Sequence, residues 1–401
     1  MRIAFVTSEF VTEANFDGGL SNYLGRVSRA LLAEGHEVVV IVRSDRDEQI
    51  DFHGVEVHRV APRWDAKMRM DHVDPLCPRS LYMPYQDVKA AWAVWRCWQR
   101  LEKAQSFDLI QLTNVMSIGL FFRRQRKVPM CLRLSSFHPE WTERTGGTPD
   151  RAARWRSWME QKALRGFRFA YAPTAHVAAM AKTYYGMKEV SVLATPFFRD
   201  MVTGEAPSDA FPSGPFALFF GAKNRIKGMV ELAGALPGFL RRCPEWQVVC
   251  IGKDGTAPGG GSMETLLRDA AGGEGARLEL LPPMPHARLY EWIQRAELIL
   301  IPSIADNLPN AALEALGLGR PVLTTDVAGL GEYVVSGETG WVIPAGDADA
   351  LEGALLDAAA MSPAERDTMG KRGAERIKPL LPEQAIPRLV SYYESVRSRW
   401  T

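Results

Sequence analysis

The stretch of sequence that decides the fold reads Ile301-Pro302-Ser303-Ile304-Ala305-Asp306-Asn307-Leu308-Pro309-Asn310-Ala311-Ala312-Leu313-Glu314-Ala315-Leu316-Gly317-Leu318-Gly319-Arg320-Pro321. Short apolar runs of strand length flank it, one over residues 296–300 and one over residues 321–325. Between them the sequence predicts a helix that begins with Asn310 as its N-cap and stops near Gly319. A strand, loop, helix and strand in this order predict a βαβ unit of a parallel sheet.

Two acids on this unit point to a ligand site. Asp306 lies on the predicted loop and Glu314 about one turn into the helix, so both side chains can face the crevice at the carboxyl edge of the sheet. The backbone N–H groups at the helix start point to the same place and favour an anion such as phosphate. Acids beside an anion site indicate a ligand that carries both hydroxyl and phosphate groups, namely a sugar nucleotide.

These residues resemble the E-x7-E element of retaining GT-B glycosyltransferases of family 4. The resemblance rests on Asp306 to Asn310 with Glu314 eight residues after Asp306, and on the segments 324–332 and 340–347. Asp306 stands where the first Glu of the element usually stands, which makes the sugar contact one methylene shorter. The resemblance implies an α/β GT-B fold, in which two Rossmann-like domains face each other across a cleft.

Length and charge are consistent with a two-domain enzyme. With 401 residues and 46% hydrophobic content, the chain can bury two α/β cores. The net charge of +1 does not indicate nucleic-acid binding. Residues 1–200 are nevertheless basic, with 29 Lys and Arg against 22 Asp and Glu. This excess is compatible with phosphate ligands, with anionic lipid or with no ligand at all.

The sequence also predicts where the enzyme works. Five cysteines without a C-x-x-C spacing indicate neither a disulfide scaffold nor a zinc site. The N-terminus enters a strand directly and does not resemble a signal peptide, and no apolar run approaches 18 residues. We expect a cytoplasmic enzyme, with contact to the inner face of the membrane as a further option.

The first domain begins as a doubly wound fold, with a helix over 21–34 between strands over 2–7 and 37–42. The loop before the helix contains Gly18 and Gly19 but not G-x-G-x-x-G, so no dinucleotide fingerprint is present. Paired glycines alone indicate either a tight turn or a close approach to a ligand. The resemblance implies that Gly18 and Gly19 contact the donor sugar and diphosphate.

His138 follows a predicted strand over 130–134. A single histidine at such a position is often a surface or capping residue. The resemblance instead implies that His138 contacts the donor sugar near the reacting carbon.

Aromatic and basic residues crowd a predicted helix near residues 82–100. Its tryptophans recur every three residues, and basic side chains lie among them: Trp92, Trp95, Trp98, Lys89, Arg96 and Arg100. A second basic cluster follows over residues 123–127. The pattern is typical either of a core or acceptor wall or of a surface that lies on anionic lipid.

A second domain is predicted from residue 214, after a linker-like segment over 203–215. Its first strand, over 216–221, leads into a loop with cations at alternate positions, Lys223, Arg225 and Lys227, ahead of a helix. Such a loop is either solvated or clamps a diphosphate. It resembles the family's "G-R-L … K-G" loop, with Ala222 in place of the family's Arg, so Lys223 or Arg225 would supply that charge.

Together these observations predict domains at 1–205 and 214–383, and the resemblance implies that residues 384–401 cross back to the first domain. The residues predicted to be catalytic are His138, Lys227 and Asp306. Those predicted to bind the donor are Gly18, Gly19, Lys223, Arg225, Lys227, Asp306, Asn307, Leu308, Pro309, Asn310 and Glu314. No Asp-x-Asp motif is present, so we expect neither a metal nor any other cofactor, with a nucleoside-diphosphate sugar as substrate.

The resemblance implies transfer of a hexose-type sugar to an acceptor hydroxyl with retention of configuration. The acceptor is expected to be a glycan, a lipid-linked intermediate or a small molecule. Bacterial cell-surface glycan or polysaccharide synthesis is the first interpretation, and glycosylation of a natural product is the second. A GT-B-like nucleotide-sugar epimerase and a non-catalytic sugar-nucleotide binder remain open as alternatives.

Overall fold

A computed structural model describes residues 1–13, 19–64, 77–135, 137, 139, 150–198, 211–306, 308–327 and 329–400. The chain forms two compact units, one of Met1–Pro196 with Pro382–Thr401 and one of Phe197–Leu381. The predicted boundaries were residues 205, 214 and 384. Most of the predicted linker, residues 203–210, lies outside the described residues.

Phe197 begins the second unit earlier than the sequence indicated. Its backbone N–H donates to the Leu380 carbonyl at 2.7 Å. Its ring lies where a side chain on Gly317 would otherwise project, since a Cβ there would come within 2.4 Å of the ring. The residue is therefore tied to the second unit by both backbone and side chain.

The first unit is built on an eight-stranded sheet in the order β3-β4-β2-β1-β5-β6-β7-β8. Its strands are β1 Arg2–Thr7, β2 Glu37–Arg43, β3 Glu48–Phe52, β4 Val55–Val60, β5 Leu109–Thr113, β6 Met130–Arg133, β7 Ala170–Ala172 and β8 Ser191–Val192. All neighbouring pairs are parallel except β3 and β4. The central strands β1, β2 and β5 are mostly apolar because both of their faces are covered.

The antiparallel pair β3 and β4 was absent from the sequence prediction. The two strands are joined by His53 and Gly54, whose φ angles of 52° and 86° are both positive. Two positive φ angles are typical of the tight hairpin turns whose twist matches the flanking strands. In the sequence, Gly54 at the second turn position indicated this hairpin. The strand β3 was not recognised because most of its residues are polar.

The described residues of the first unit form five helices: α1 Gly19–Ala33, α2 Tyr82–Ala104, α3 Arg151–Leu164, α4 Ala175–Tyr185 and, after the second unit, α11 Pro382–Ser398. Helix α11 is fixed to the sheet by Tyr393, which is fully buried and donates a hydrogen bond to Gln111 of β5. None of the helices in the ranges described above is long and apolar enough to cross a membrane.

The tryptophans of α2 form part of the core. Trp98 is buried, and its ring stacks on that of Trp95 with centroids 4.9 Å apart. Both rings contact Phe122. The core interpretation of this stripe is confirmed for Trp98, whereas Trp92 and Trp95 are half-buried. The interpretation of the stripe as a lipid-binding surface stays a prediction.

The second unit is built on a six-stranded parallel sheet in the order β11-β10-β9-β12-β13-β14. Its strands are β9 Phe216–Phe220, β10 Gln247–Ile251, β11 Leu278–Leu281, β12 Leu298–Ile301, β13 Val322–Thr325 and β14 Gly340–Ile343. Its helices are α5 Met229–Arg242, α6 Met263–Ala271, α7 His286–Arg295, α8 Asn310–Gly317, α9 Ala348–Ala360 and α10 Pro363–Arg376. The predicted strand-loop-helix-strand unit around residue 310 is β12, α8 and β13.

Candidate active site of the second unit

The strand order of the second unit fixes where a ligand can bind. Strands β9 and β12 are neighbours in the sheet although β10 and β11 lie between them in the chain. The order of strands reverses between them, and in open parallel sheets ligands bind at the carboxyl ends of the strands at such a point. Two loops leave the sheet there, residues 221–228 after β9 and residues 302–309 after β12.

The first loop holds Lys227 in a short capped turn. Residues Arg225–Lys227 form one 3-10 turn, and the Asn224 side chain accepts a hydrogen bond from the Lys227 backbone N–H at 3.0 Å. Gly228 then adopts a φ of 77°, and α5 begins at Met229. The lysine is therefore held at the entrance of a helix by the local sequence.

The second loop is joined to the first through backbone atoms. The Ile304 N–H donates to the Ile226 carbonyl at 2.8 Å. Gly228 lies so close to the Pro302 carbonyl that a Cβ at this position would come within 1.8 Å of its oxygen. Glycine is required here both for the positive φ and for the close approach.

This contact brings two predicted site residues together. The Lys227 ammonium forms an ion pair with the Asp306 carboxylate. Their side chains are 33% and 15% exposed, so the pair lies at the surface of the unit and can be reached by a ligand. An ammonium can bind phosphate oxygens, and a carboxylate can accept hydrogen bonds from sugar hydroxyls.

Helix α8 follows this loop and begins one residue differently from the prediction. Pro309 occupies the N-cap position with extended backbone angles, and Asn310 is the first helical residue. The prediction of Asn310 as the N-cap is wrong by one residue, because the ψ of 121° at Pro309 is extended and Asn310 is already helical. The predicted stop is confirmed, since Gly319 follows the helix with a φ of 71°.

Glu314 is buried on α8, with its side chain 6% exposed. Its Oε1 lies 3.8 Å from Nδ1 of His286, the first residue of α7, whose side chain is 52% exposed. His286 was not among the site residues predicted from the sequence. It could have been predicted from its position, because it begins a helix shortly after the carboxyl end of β11.

Lys223 was predicted to contact the donor, but its side chain is bonded within the second unit. Its side chain is fully buried, its ammonium donates to the Leu281 carbonyl at 2.9 Å, and it forms an ion pair with Glu264 at 2.6 Å. Lys223 also forms an isolated parallel bridge with Asp254, which extends the pairing beyond β9 and β10. Its charge therefore connects two strand ends with α6, while Arg225 on the next turn is exposed.

Of the other predicted residues, Leu308 is half-buried and Pro309 is buried beside Asp306. Gly19 is the exposed first residue of α1 in the first unit. Gly18, His138 and Asn307 lie outside the described residues.

The carboxyl edge of the first unit's sheet holds a pair of charged residues that the sequence analysis missed. Burial raises the pKa of the Glu9 carboxyl, and the positive charge of Arg133 partly opposes this shift. The Arg133 guanidinium lies 3.7 Å from the centroid of the Tyr23 ring and donates to the Ser135 hydroxyl at 2.5 Å. In the sequence, Glu9 and Ser135 each lie two residues past the end of a strand, which is where site residues of a parallel sheet are expected.

Two family models match the chain, and together they span both units. Residues 214–360 match the model described as glycosyl transferases group 1. Residues 18–196 match the glycosyl transferase 4-like domain. The chain belongs to the group 1 glycosyl transferases.

Relatives of known name agree with this family. A D-inositol 3-phosphate glycosyltransferase of Arthrobacter sp. (strain FB24) is 27% identical across 93% of this chain and 90% of the relative. Another, from Nocardia farcinica (strain IFM 10152), is 31% identical over 188 residues, which are 44% of this chain and 39% of the relative. The latter match therefore spans about two fifths of that relative's length.

A solved structure of the same fold is the sucrose-phosphate synthase of Thermosynechococcus elongatus. It is similar to this chain with a TM-score of 0.76 and 19% identity, and the match covers 99% of both chains. The predicted GT-B fold is confirmed.

The contact between the two loops predicts a strong effect of Gly228→Ala. Gly346→Ala is the matched control, because Gly346 has a φ of 79° and no atom within 4 Å of the added Cβ. Both variants incur about 1–2 kcal/mol of left-handed strain. We expect Gly228→Ala to be less stable than the control by a further ~1–3 kcal/mol in denaturant unfolding, because of the clash with Pro302. Equal stability of the two variants would contradict the described contact.

The burial of Lys223 predicts an unequal effect of removing either partner of its ion pair. Glu264→Ala strands a buried ammonium and should cost about 3–5 kcal/mol of unfolding free energy. Lys223→Met removes the buried charge, leaves Glu264 near solvent and should cost only about 1–3 kcal/mol. The double variant should therefore be more stable than Glu264→Ala alone. If denaturant titrations show the double variant to be the least stable, the assignment of Lys223 as a structural residue is wrong.

Proposed function

We propose that this chain is a retaining glycosyltransferase that moves a hexose-type sugar from a nucleoside diphosphate to an acceptor hydroxyl. The observation that supports this best is the accessible Lys227–Asp306 pair at the carboxyl ends of β9 and β12. This pair places a phosphate-binding cation beside a hydroxyl-binding acid, and both groups are needed to hold a sugar diphosphate.

The cations of the first loop are assigned to the leaving group. As the bond to the sugar breaks, negative charge develops on the departing diphosphate. The Lys227 ammonium and the exposed Arg225 guanidinium stabilise this charge, together with the backbone N–H groups at the start of α8 near Asn310. Arg225 takes the part of the family's Arg, since Lys223 is committed to Glu264.

The acids are assigned to the hydroxyl groups of the donor. Asp306 and the backbone from Asn307 to Pro309 hold the sugar, and Glu314 holds the ribose hydroxyls. His138, Gly18 and Gly19 are proposed as further donor contacts on the strength of the family resemblance. No residue in this assignment requires a metal, so we propose a metal-independent reaction in the cytoplasm.

The acceptor belongs to one of two classes. A glycan intermediate of cell-surface polysaccharide synthesis is the first. The second is a small phosphorylated polyol, which the similarity to D-inositol 3-phosphate glycosyltransferases favours. Transfer assays with each acceptor class distinguish the two once the donor is known.

We expect one nucleotide sugar to stabilise the protein in a thermal-shift panel of UDP-, GDP-, ADP- and TDP-sugars. A ligand that binds only the folded state stabilises it by mass action, by about 2.7 kcal/mol at one hundred times its Kd. The stabilisation should persist in EDTA. A donor that stabilises only with a divalent cation would contradict the metal-independent reaction, and the absence of any stabilising sugar nucleotide would contradict the proposed donor class.

We expect Lys227→Ala to lower the transfer rate by about 10²–10³-fold, because it removes one charge-stabilising donor from the leaving group. Glu314→Ala should raise the donor KM through loss of the ribose contact. Lys253→Ala is the control, since Lys253 is an exposed lysine on the loop after the neighbouring strand β10.

Both site variants should melt within a few degrees of the parent. Unchanged transfer in Lys227→Ala and Glu314→Ala would rule out the assigned site. Product formed from the donor alone would identify an epimerase, and donor binding without turnover in the parent protein would identify a non-catalytic binder.

A further inference from the structure

The outer face of α3 carries two large aromatic side chains that the core does not use. The helix buries Met159 and Leu164 on its inner side. Trp155 and Trp158 lie elsewhere on its surface and are 46% and 49% exposed. Their rings meet edge to face, with centroids 5.3 Å apart. They therefore form one continuous aromatic patch and not two isolated side chains.

A shallow depression of about 560 Å³ adjoins this patch. Its floor is mainly apolar and includes Val88 of α2 and Phe121, whereas three basic side chains also line it: Arg123, Arg124 and Lys162. The Lys162 ammonium lies 5.6 Å from the centroid of the Trp158 ring, within the range of a cation–π interaction. Aromatic rings and cations are thus interleaved on one surface.

The charges of α3 are distributed unequally between its two sides. Its one acid, Glu160, is buried and accepts hydrogen bonds from Asn114 at 3.1 Å and from Tyr185 at 2.5 Å. Arg151 and Arg154 are exposed. The solvent side of the helix therefore carries cations and tryptophans and no acidic residue.

The helix is held in this orientation by a buried ionic contact. Asp87 of α2 is 2% exposed and accepts hydrogen bonds from Arg156 of α3 at 2.8 Å and from Arg43 of β2 at 2.9 Å. Because Arg156 faces α2, it contributes little to the outer charge. The contact fixes α3 to the sheet and prevents the tryptophans from turning inward.

The first turn of α2, the helix against which α3 packs, adds two more exposed apolar residues. Tyr82 and Met83 are 49% and 48% exposed. Together with Trp155 and Trp158 they are four of the five large apolar side chains that are exposed in the described part of the chain, and the fifth is Val192 of β8.

We propose that the Trp155–Trp158 face, defined as Trp155, Trp158, Arg124, Arg154 and Lys162, docks the first unit on a bilayer surface that carries anionic lipids. Indole rings favour the boundary between headgroups and acyl chains. Juxtamembrane Lys and Arg are attracted by the negative potential of anionic lipids, by about 1 kcal/mol for each residue near the surface. The face offers both groups together, with Arg124 on the 3-10 turn Phe122–Arg124 and the other four residues on α3.

This inference concerns a surface that the proposed donor site does not use. The face does include Arg124 from the basic cluster at 123–127 that the sequence had indicated.

The first test is flotation of the full-length protein with two kinds of vesicle. One kind is pure phosphatidylcholine, and the other also contains phosphatidylglycerol. We expect binding to the anionic vesicles at physiological salt and a decrease as salt is raised, because screening weakens the attraction. Equal binding to both kinds of vesicle, or binding to neither, would overturn the proposal.

The second test uses matched variants. Trp155→Ser/Trp158→Ser and Arg124→Glu/Arg154→Glu should each weaken binding to the anionic vesicles about tenfold or more. For the charge variant, the loss of about 1 kcal/mol for one charged residue already lowers the affinity roughly fivefold. Val192→Ser is the control for loss of an exposed apolar side chain. Arg372→Glu/Arg388→Glu is the control for charge, because it reverses two exposed arginines elsewhere and changes the net charge equally.

Both controls should bind as the parent does, and thermal melts should show that every variant is folded. If the charge control weakens binding as much as Arg124→Glu/Arg154→Glu, the attraction depends on overall charge and the assignment to this face is wrong. If the parent self-associates in sedimentation velocity and Trp155→Ser/Trp158→Ser abolishes that association but not vesicle binding, the face is an interface between copies of the chain, and the membrane proposal fails.

Discussion

The close approach of Gly228 to the Pro302 carbonyl determines where the charged groups of the candidate site lie. Strand order brings β9 and β12 together, but the side chains that matter stand several residues beyond the strand ends. A loop free to move would not hold Lys227 near Asp306. The glycine contact and the hydrogen bond between Ile304 and Ile226 hold the two loops as one backbone structure. The chemistry of the site therefore depends on a residue that has no side chain.

The cations of the first loop show that position in a sequence motif does not decide what a charge does. Lys223 and Lys227 are four residues apart on the same loop, and both precede α5. Lys223 is fully buried and bonded to Glu264 and Leu281, so its charge serves the fold. Lys227 is partly exposed and bonded to Asp306 alone among the partners described for its ammonium, so it can change partners. Burial separates the two roles.

Much of this could be predicted from the sequence, and the failures have physical causes. The apolar runs of β1, β9 and β12 were predicted because burial on both faces leaves a strong signal. The hairpin of β3 and β4 was missed because its strands carry many polar residues. The inward direction of Lys223 and of Trp98 depends on side-chain packing, which a spacing pattern does not encode.

The pairing of Lys227 with Asp306 has a consequence for which anions the site accepts. A free phosphate ion would have to displace Asp306 from the lysine and would break the ion pair. A ligand that carries both a phosphate and a nearby hydroxyl compensates both groups at once. A simple anion must therefore compete with the Asp306 carboxylate for the lysine. The site favours molecules that carry a phosphate and a hydroxyl at a fixed separation.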